Sequence, residues 1–310
     1  MNEDYLWDRS GAPDAEIARL EQVLGELRWR SAKPRRELWR WMAAAVAAAA
    51  AVVFAIGAAI FVARMHTSGA PTSWKLSLGG EQPSTVRTGQ VITQGTIESE
   101  FVGEVRVEPE SHLRLLAARS NEQRLALDHG TIHALIWAPP AQFVVDTPAA
   151  KTVDLGCRYT LRVEKDGTGF LTVQMGWVAF QWRNLESFIP AGAACTTRPG
   201  HGPDTPYFLD APRGLVGAVT RFDLTNRSEE LEAVLRLARP RDGLTLWHLL
   251  ERTRGAERAD VYERFAALVN LPNGVTRDGI LAGDRKAMDA AWDALQLGDT
   301  GWWREWKRQW

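Results

Sequence analysis

Residues Trp41 to Ala63, WMAAAVAAAAAVVFAIGAAIFVA, hold no charged side chain, in a chain of which 24% is Asp, Glu, Lys or Arg. As a helix this run would be roughly 35 Å long, enough for a hydrocarbon core of about 30 Å with some tilt. A helix also satisfies every backbone polar group within the segment, as lipid demands. Ala is only weakly apolar, so the drive to insert falls to Val46, Val52, Val53, Phe54, Ile56, Ile60, Phe61 and Val62. The alternative is a buried helix of a soluble domain, but helices without a polar face are uncommon there.

The flanks orient the span. Arg28, Arg30, Lys33, Arg35, Arg36 and Arg40 precede it, whereas Arg64 and, further on, Lys75 follow it. This bias puts the N-terminus in the cytoplasm, with Trp39 and Trp41 at the inner headgroup level. A cleavable signal peptide would have a short basic leader rather than a long mixed-charge segment. The chain is therefore expected to be a single-pass protein of the inner membrane. Residues 1–40 lie inside, 41–63 cross, and 64–310 lie in the periplasm or outside.

Net charge is −1, so nothing in the composition points to a nucleic-acid ligand. In the inner segment, Asp14 can cap a helix on which Ile17, Leu20, Leu24 and Leu27 recur at spacings of three and four. A stripe this size cannot bury itself in so short a segment. It serves to dock a cytoplasmic protein, to rest on lipid or to pair with its own copy.

After a linker and first strand over 64–84, the pattern turns to period two. Val105 and Val107, Leu113 and Leu115, Leu125 and Leu127, and Phe143 and Val145 alternate with polar or small residues. So do Tyr159, Leu161 and Val163; Leu171 and Val173; and Val178, Phe180 and Trp182. Turn signals separate them at 108–110, at Asp128-His129-Gly130, at 138–140, at 165–167 and at Met175-Gly176. The expected fold of 85–200 is mainly β, a sandwich, roll or solenoid. From 201 to 310 the pattern predicts a helical C-terminal region. Helix caps are expected at Ser228, Thr276 and Asp284, with another helix following Asp242-Gly243. The end, TGWWREWKRQW, either folds back over that region or meets a membrane, protein or glycan surface.

The segments RLALDHGTIHALI, FVVDTP, VDLGCRYTLRV, LTVQMGWVAFQW and FIPAGAACTT occur in an order and spacing that resemble the FecR family. Gly130, Phe143, Thr147, Gly156, Gly176 and Gly192 match its pattern, over roughly 85–200. Cys157 stands where that pattern has Thr, and the inner segment is shorter than in many members. The resemblance implies an outer β-domain that senses an envelope signal and an inner part that binds a sigma factor. A membrane-anchored envelope scaffold without signalling is the alternative.

No catalytic constellation is legible, so neither enzymatic activity nor a cofactor is expected. No Gly-rich phosphate loop or nucleophile elbow occurs. His129 and His133, with Gly130 between them, make a poor metal pair. Cys157 and Cys195, the only thiols, are expected outside the cytoplasm, where a disulfide between them is the expectation. The other reading is two small buried apolar residues.

Overall fold

The computed structural model describes residues 15–26, 69–79 and 82–298; the side chains of Ile17 and Glu26 are not among those described. The apolar run 41–63, the capping Asp14, Leu27 and the Trp-rich tail from residue 299 lie outside the described residues. Among the described residues, no helix is long and apolar enough to cross a membrane. The chain divides into two compact units, Met1–Thr67 and Ser68–Trp310. The first holds one described helix, α1 (Ala15–Glu26).

The second unit is sheet-rich with a helical C-terminal part. Its first strands are β1 (Trp74–Ser77), β2 (Ser84–Val86), β3 (Val91–Ile92), β4 (Gly95–Ser99), β5 (Gly103–Val107) and β6 (His112–Arg119). Then come β7 (Glu122–Ile136), β8 (Phe143–Asp146), β9 (Lys151–Asp154), β10 (Arg158–Val163) and β11 (Gly169–Met175). The last are β12 (Trp177–Trp182), β13 (Leu185–Pro190), β14 (Ala193–Arg198), β15 (Gly202–Pro203) and β16 (Tyr207–Phe208). All ladders are antiparallel except β7 with β8.

One sheet runs β13-β12-β9-β8-β7-β6-β3 and the other β2-β1-β4-β5-β7-β10-β11-β14. They share β7. Its first half pairs with β6 and β8, and its second half with β5 and β10. Every alternating apolar pair predicted from 105 to 180 is buried between the layers, while Trp182 is half-buried.

The expected turn at Asp128-His129-Gly130 is instead the corner at which this one long strand changes sheet. Gly130 has φ 103°, a backbone region that L side chains rarely adopt. A Cβ placed there would lie 2.4 Å from the Cα of Ser111. Ser111 also satisfies the bent backbone: its hydroxyl accepts from the Thr131 N–H (3.0 Å) and donates to the Thr131 carbonyl (3.2 Å). A Gly flanked by polar residues reads as a turn in sequence; it makes a corner here because strands wait on both sides of it.

The helical part comprises α2 (Arg213–Thr225), α3 (Ser228–Leu237), α4 (Gly243–Arg252), α5 (Gly255–Leu268), α6 (Arg277–Ala282) and α7 (Arg285–Asp293). Thr276 and Asp284 cap as expected, accepting from the N–H groups of Gly279 (3.1 Å) and Ala287 (2.9 Å). Ser228 does not cap α3: Arg227 holds that position, and the Ser228 hydroxyl donates to Glu257 at 2.8 Å.

These helices cover the edge strand β13. The outward Phe188 N–H donates to Nε2 of buried His248 (3.0 Å), whose Nδ1 faces the Leu244 carbonyl at 2.8 Å. That arrangement holds the ring neutral with its proton on Nδ1. Trp292 packs edge-on against Phe188 and Trp247, with ring centroids 5.1 and 4.9 Å apart. With the Phe188 N–H taken up by His248, one of the pairing groups of this edge is no longer open to another chain.

Candidate partner-binding site

The sequence singled out a stripe on α1. The helix places Leu20 and Leu24 one turn apart, and they are 56% and 59% exposed. Val23, 58% exposed, widens the stripe. Sequence reasoning missed it, yet the signal was there: at 3.6 residues per turn Val23 lies about 60° around the helix from Leu20. Each of the described side chains of α1 is exposed, so three branched apolar groups stand on its surface without burial. Of the two other expected members, Ile17 lies in α1 with its side chain outside the description, and Leu27 lies beyond the described residues. Glu16 in the first turn complements the positive end of the helix dipole.

In the second unit the candidate reactive groups are each held in separate networks. Cys157 and Cys195 are both free and buried. The expected disulfide is precluded by the sheet, because β11 lies between β10 and β14. Two strand spacings amount to about 10 Å, beyond the Cα separation of roughly 7 Å that a bridge tolerates. Each thiol has its own acceptor instead. The Cys157 thiol donates to Oδ2 of Asp154 at 2.5 Å, and Cys195 to the Asp204 carbonyl at 3.2 Å. Burial, then the nearby carboxyl group, pushes both thiols up, away from the reactive thiolate form.

Burial also raises Asp154, to about 7, against the hydrogen bonds from Cys157 and the Gly156 N–H that lower it. His112 and Arg114 share Asp128, which that pairing holds below the usual carboxylate range. His133 bonds Glu108 at 2.6 Å and Thr160 at 3.1 Å. His129 stacks on His112 with ring centroids 5.7 Å apart. His129 and His133 thus belong to different clusters, and among the described residues no group of three His, Cys, Asp or Glu could hold a metal.

A buried polar joint, not foreseen from the sequence, fastens the helices to the sheet. Arg252 at the end of α4 donates to Ser187 Oγ (2.5 Å), the Asp204 carbonyl (3.0 Å) and Thr205 Oγ1 (3.1 Å). It lies 3.6 Å from Oδ1 of Asp223 on α2, which in turn accepts from the Thr205 N–H and hydroxyl. Arg198 pairs with Asp204, whose carboxyl is pushed up to about 6 by burial and by Asp223.

No protein-family description matches the chain, and no curated protein does. Two crystal structures of a candidate anti-sigma factor from Parabacteroides distasonis ATCC 8503 are similar to it in part. The one at 1.65 Å resolution is 17% identical, with a TM-score of 0.30, over 43% of this chain and 61% of that one. The one at 2.50 Å is 16% identical, with a TM-score of 0.31, over 48% of this chain and 72% of that one.

Proposed function

We propose that this chain is a single-pass regulator of the FecR type, which passes an envelope signal to a sigma factor in the cytoplasm. The observation that carries the reading is the exposed stripe of Leu20, Val23 and Leu24 on α1. An amphipathic helix with an unburied apolar face recognises a groove on its partner through anchors at i, i+3 and i+4. The uncharged run 41–63 supports the reading by separating this helix from a far larger unit. The ordered FecR-like segments support a receiving role for that unit. It is proposed to work without catalysis or a cofactor.

Changing Leu20→Asp together with Leu24→Asp tests the stripe. Cross-linking of the full chain to its sigma factor should fall at least tenfold, and a reporter driven by that factor should change its output. Equal amounts of the two proteins in the membrane fraction would exclude an insertion defect. Unchanged cross-linking and output would make the inner segment a mere tether and the chain a scaffold.

Orientation is tested by fusion. A reporter enzyme active only outside the cytoplasm should work when joined after residue 200 and fail when joined after Arg30. The reverse pattern would overturn the N-in topology and the regulator reading with it.

A further inference from the structure

The large unit displays two aromatic side chains that its core does not use. Phe101 is 73% exposed and Trp137 is 54% exposed. They line one cleft of about 520 Å³. Phe101 is in the short turn between β4 and β5, and Trp137 follows directly on β7. The Trp137 indole N–H donates to the Glu100 carbonyl at 3.0 Å, and the backbone N–H groups of Trp137 and Ala138 both donate to Val102 at 2.9 and 3.0 Å. Val102 itself is buried and anchors the turn. The Trp137 ring and the backbone that carries Phe101 are therefore set in place before any ligand arrives, which lowers the ordering cost of binding.

The charges around them have one sign in excess. Glu98, Glu100 and Glu104 line the cleft with a single cation, Lys75. Glu98 and Glu104 are directly opposite each other on β4 and β5. Like charges in such a cross-strand pair destabilise a sheet. Lys75 is opposite Glu98 on its other side, yet among the described residues none of these four groups makes an ion pair or a side-chain hydrogen bond. The sheet thus presents unpaired carboxylates beside exposed aromatic faces.

We infer that this cleft is a docking surface for an arginine-bearing segment of a partner protein. A guanidinium suits both features at once: it stacks on an aromatic face and forks onto a carboxylate. Aromatic side chains are also among the residues that dominate protein interfaces. An anionic lipid surface is the wrong occupant, since the three carboxylates would repel it. The inference is independent of the stripe on α1 and of any sigma factor.

The test uses the full chain in a neutral detergent and a fluorescently labelled peptide, Gly-Arg-Gly-Arg-Gly with blocked ends, read by anisotropy. Phe101→Ser should weaken binding about tenfold or more. Phe101 makes no core contact, so loss of fold does not confuse the result. Glu98→Gln with Glu104→Gln should weaken binding by a similar factor and flatten its dependence on salt. The lysine counterpart should bind several-fold more weakly, because it loses the stacking. No binding, equal binding by these variants, or equal binding of lysine peptide or spermidine would overturn the inference. So would binding of phosphatidylglycerol vesicles by the purified chain that Phe101→Ser abolishes.

Discussion

Arg252→Ala is expected to destabilise the large unit by about 3 kcal/mol, at the lower end for removing one partner of a buried ion pair. The side chain is nearly buried, and its loss strips four groups at once. Asp223 loses its cation, and Ser187, the Asp204 carbonyl and Thr205 lose a donor in a place water reaches poorly. For a unit this size each kcal/mol moves the thermal midpoint by about 2–4 °C, so a fall of roughly 6–12 °C is expected in a scan. Adding Asp223→Asn should recover part of the loss, because the stranded carboxylate is then gone. A single change that costs under about 1 kcal/mol, or a double variant worse than the sum of the two, would show that the joint does not fasten the helices as described.

Asp154→Asn is expected to act in the opposite direction and only above acid pH. The carboxyl group titrates near 7 in the folded protein, against an ordinary value of 3.8. Below pH 3.8 both folded and unfolded forms are protonated, and the group has no effect on stability. As pH rises from there, the unfolded chain ionises first, so folding loses stability until the folded group also ionises near 7. The loss reaches about 4 kcal/mol as an upper figure. Asparagine keeps the acceptor for the Gly156 N–H and cannot ionise. Its denaturation midpoint should match the native protein near pH 4 and exceed it increasingly up to pH 8. Differences between the two curves isolate this group from the other carboxylates. Parallel curves across the range would show that Asp154 is ionised throughout and hydrated.

The sequence disclosed much of this fold because period two is a strong signal when one face of each strand is buried. Leu113, Leu115, Leu125, Leu127, Tyr159 and Leu161 all meet in the core as alternation requires. Helix α2 was missed although Leu215, Ala218, Val219 and Phe222 recur at helical spacing and are all buried. Gly214 and Gly217, and a start at Pro212 with no capping side chain, hid it. The corner at Gly130 was illegible for a different reason: a local sequence cannot tell a turn from a bend that pairs with two strands on each side. The cysteine pairing failed likewise, because strand order is a long-range property. Of the exposed stripe on α1, Leu20 and Leu24 were legible from spacing alone. The aromatic cleft was not, since Phe101 and Trp137 are far apart in the chain.

The shared strand also sets an order in time. The partners of β7 are β5 and β6 before it and β8 and β10 after it, so its last neighbour is complete only at Val163. The edge it helps to protect is closed later still, when His248 reaches β13. A chain emerging N-terminus first can thus pair β1 with β2 and β4, β4 with β5, and β3 with β6, but has no strand to join the two groups until β7 follows. Pairings of this kind are slow because distant segments must meet before any contact rewards them. The ladders β2-β1-β4-β5 and β3-β6 are complete by Arg119, but the strand that joins them into one unit comes only afterwards.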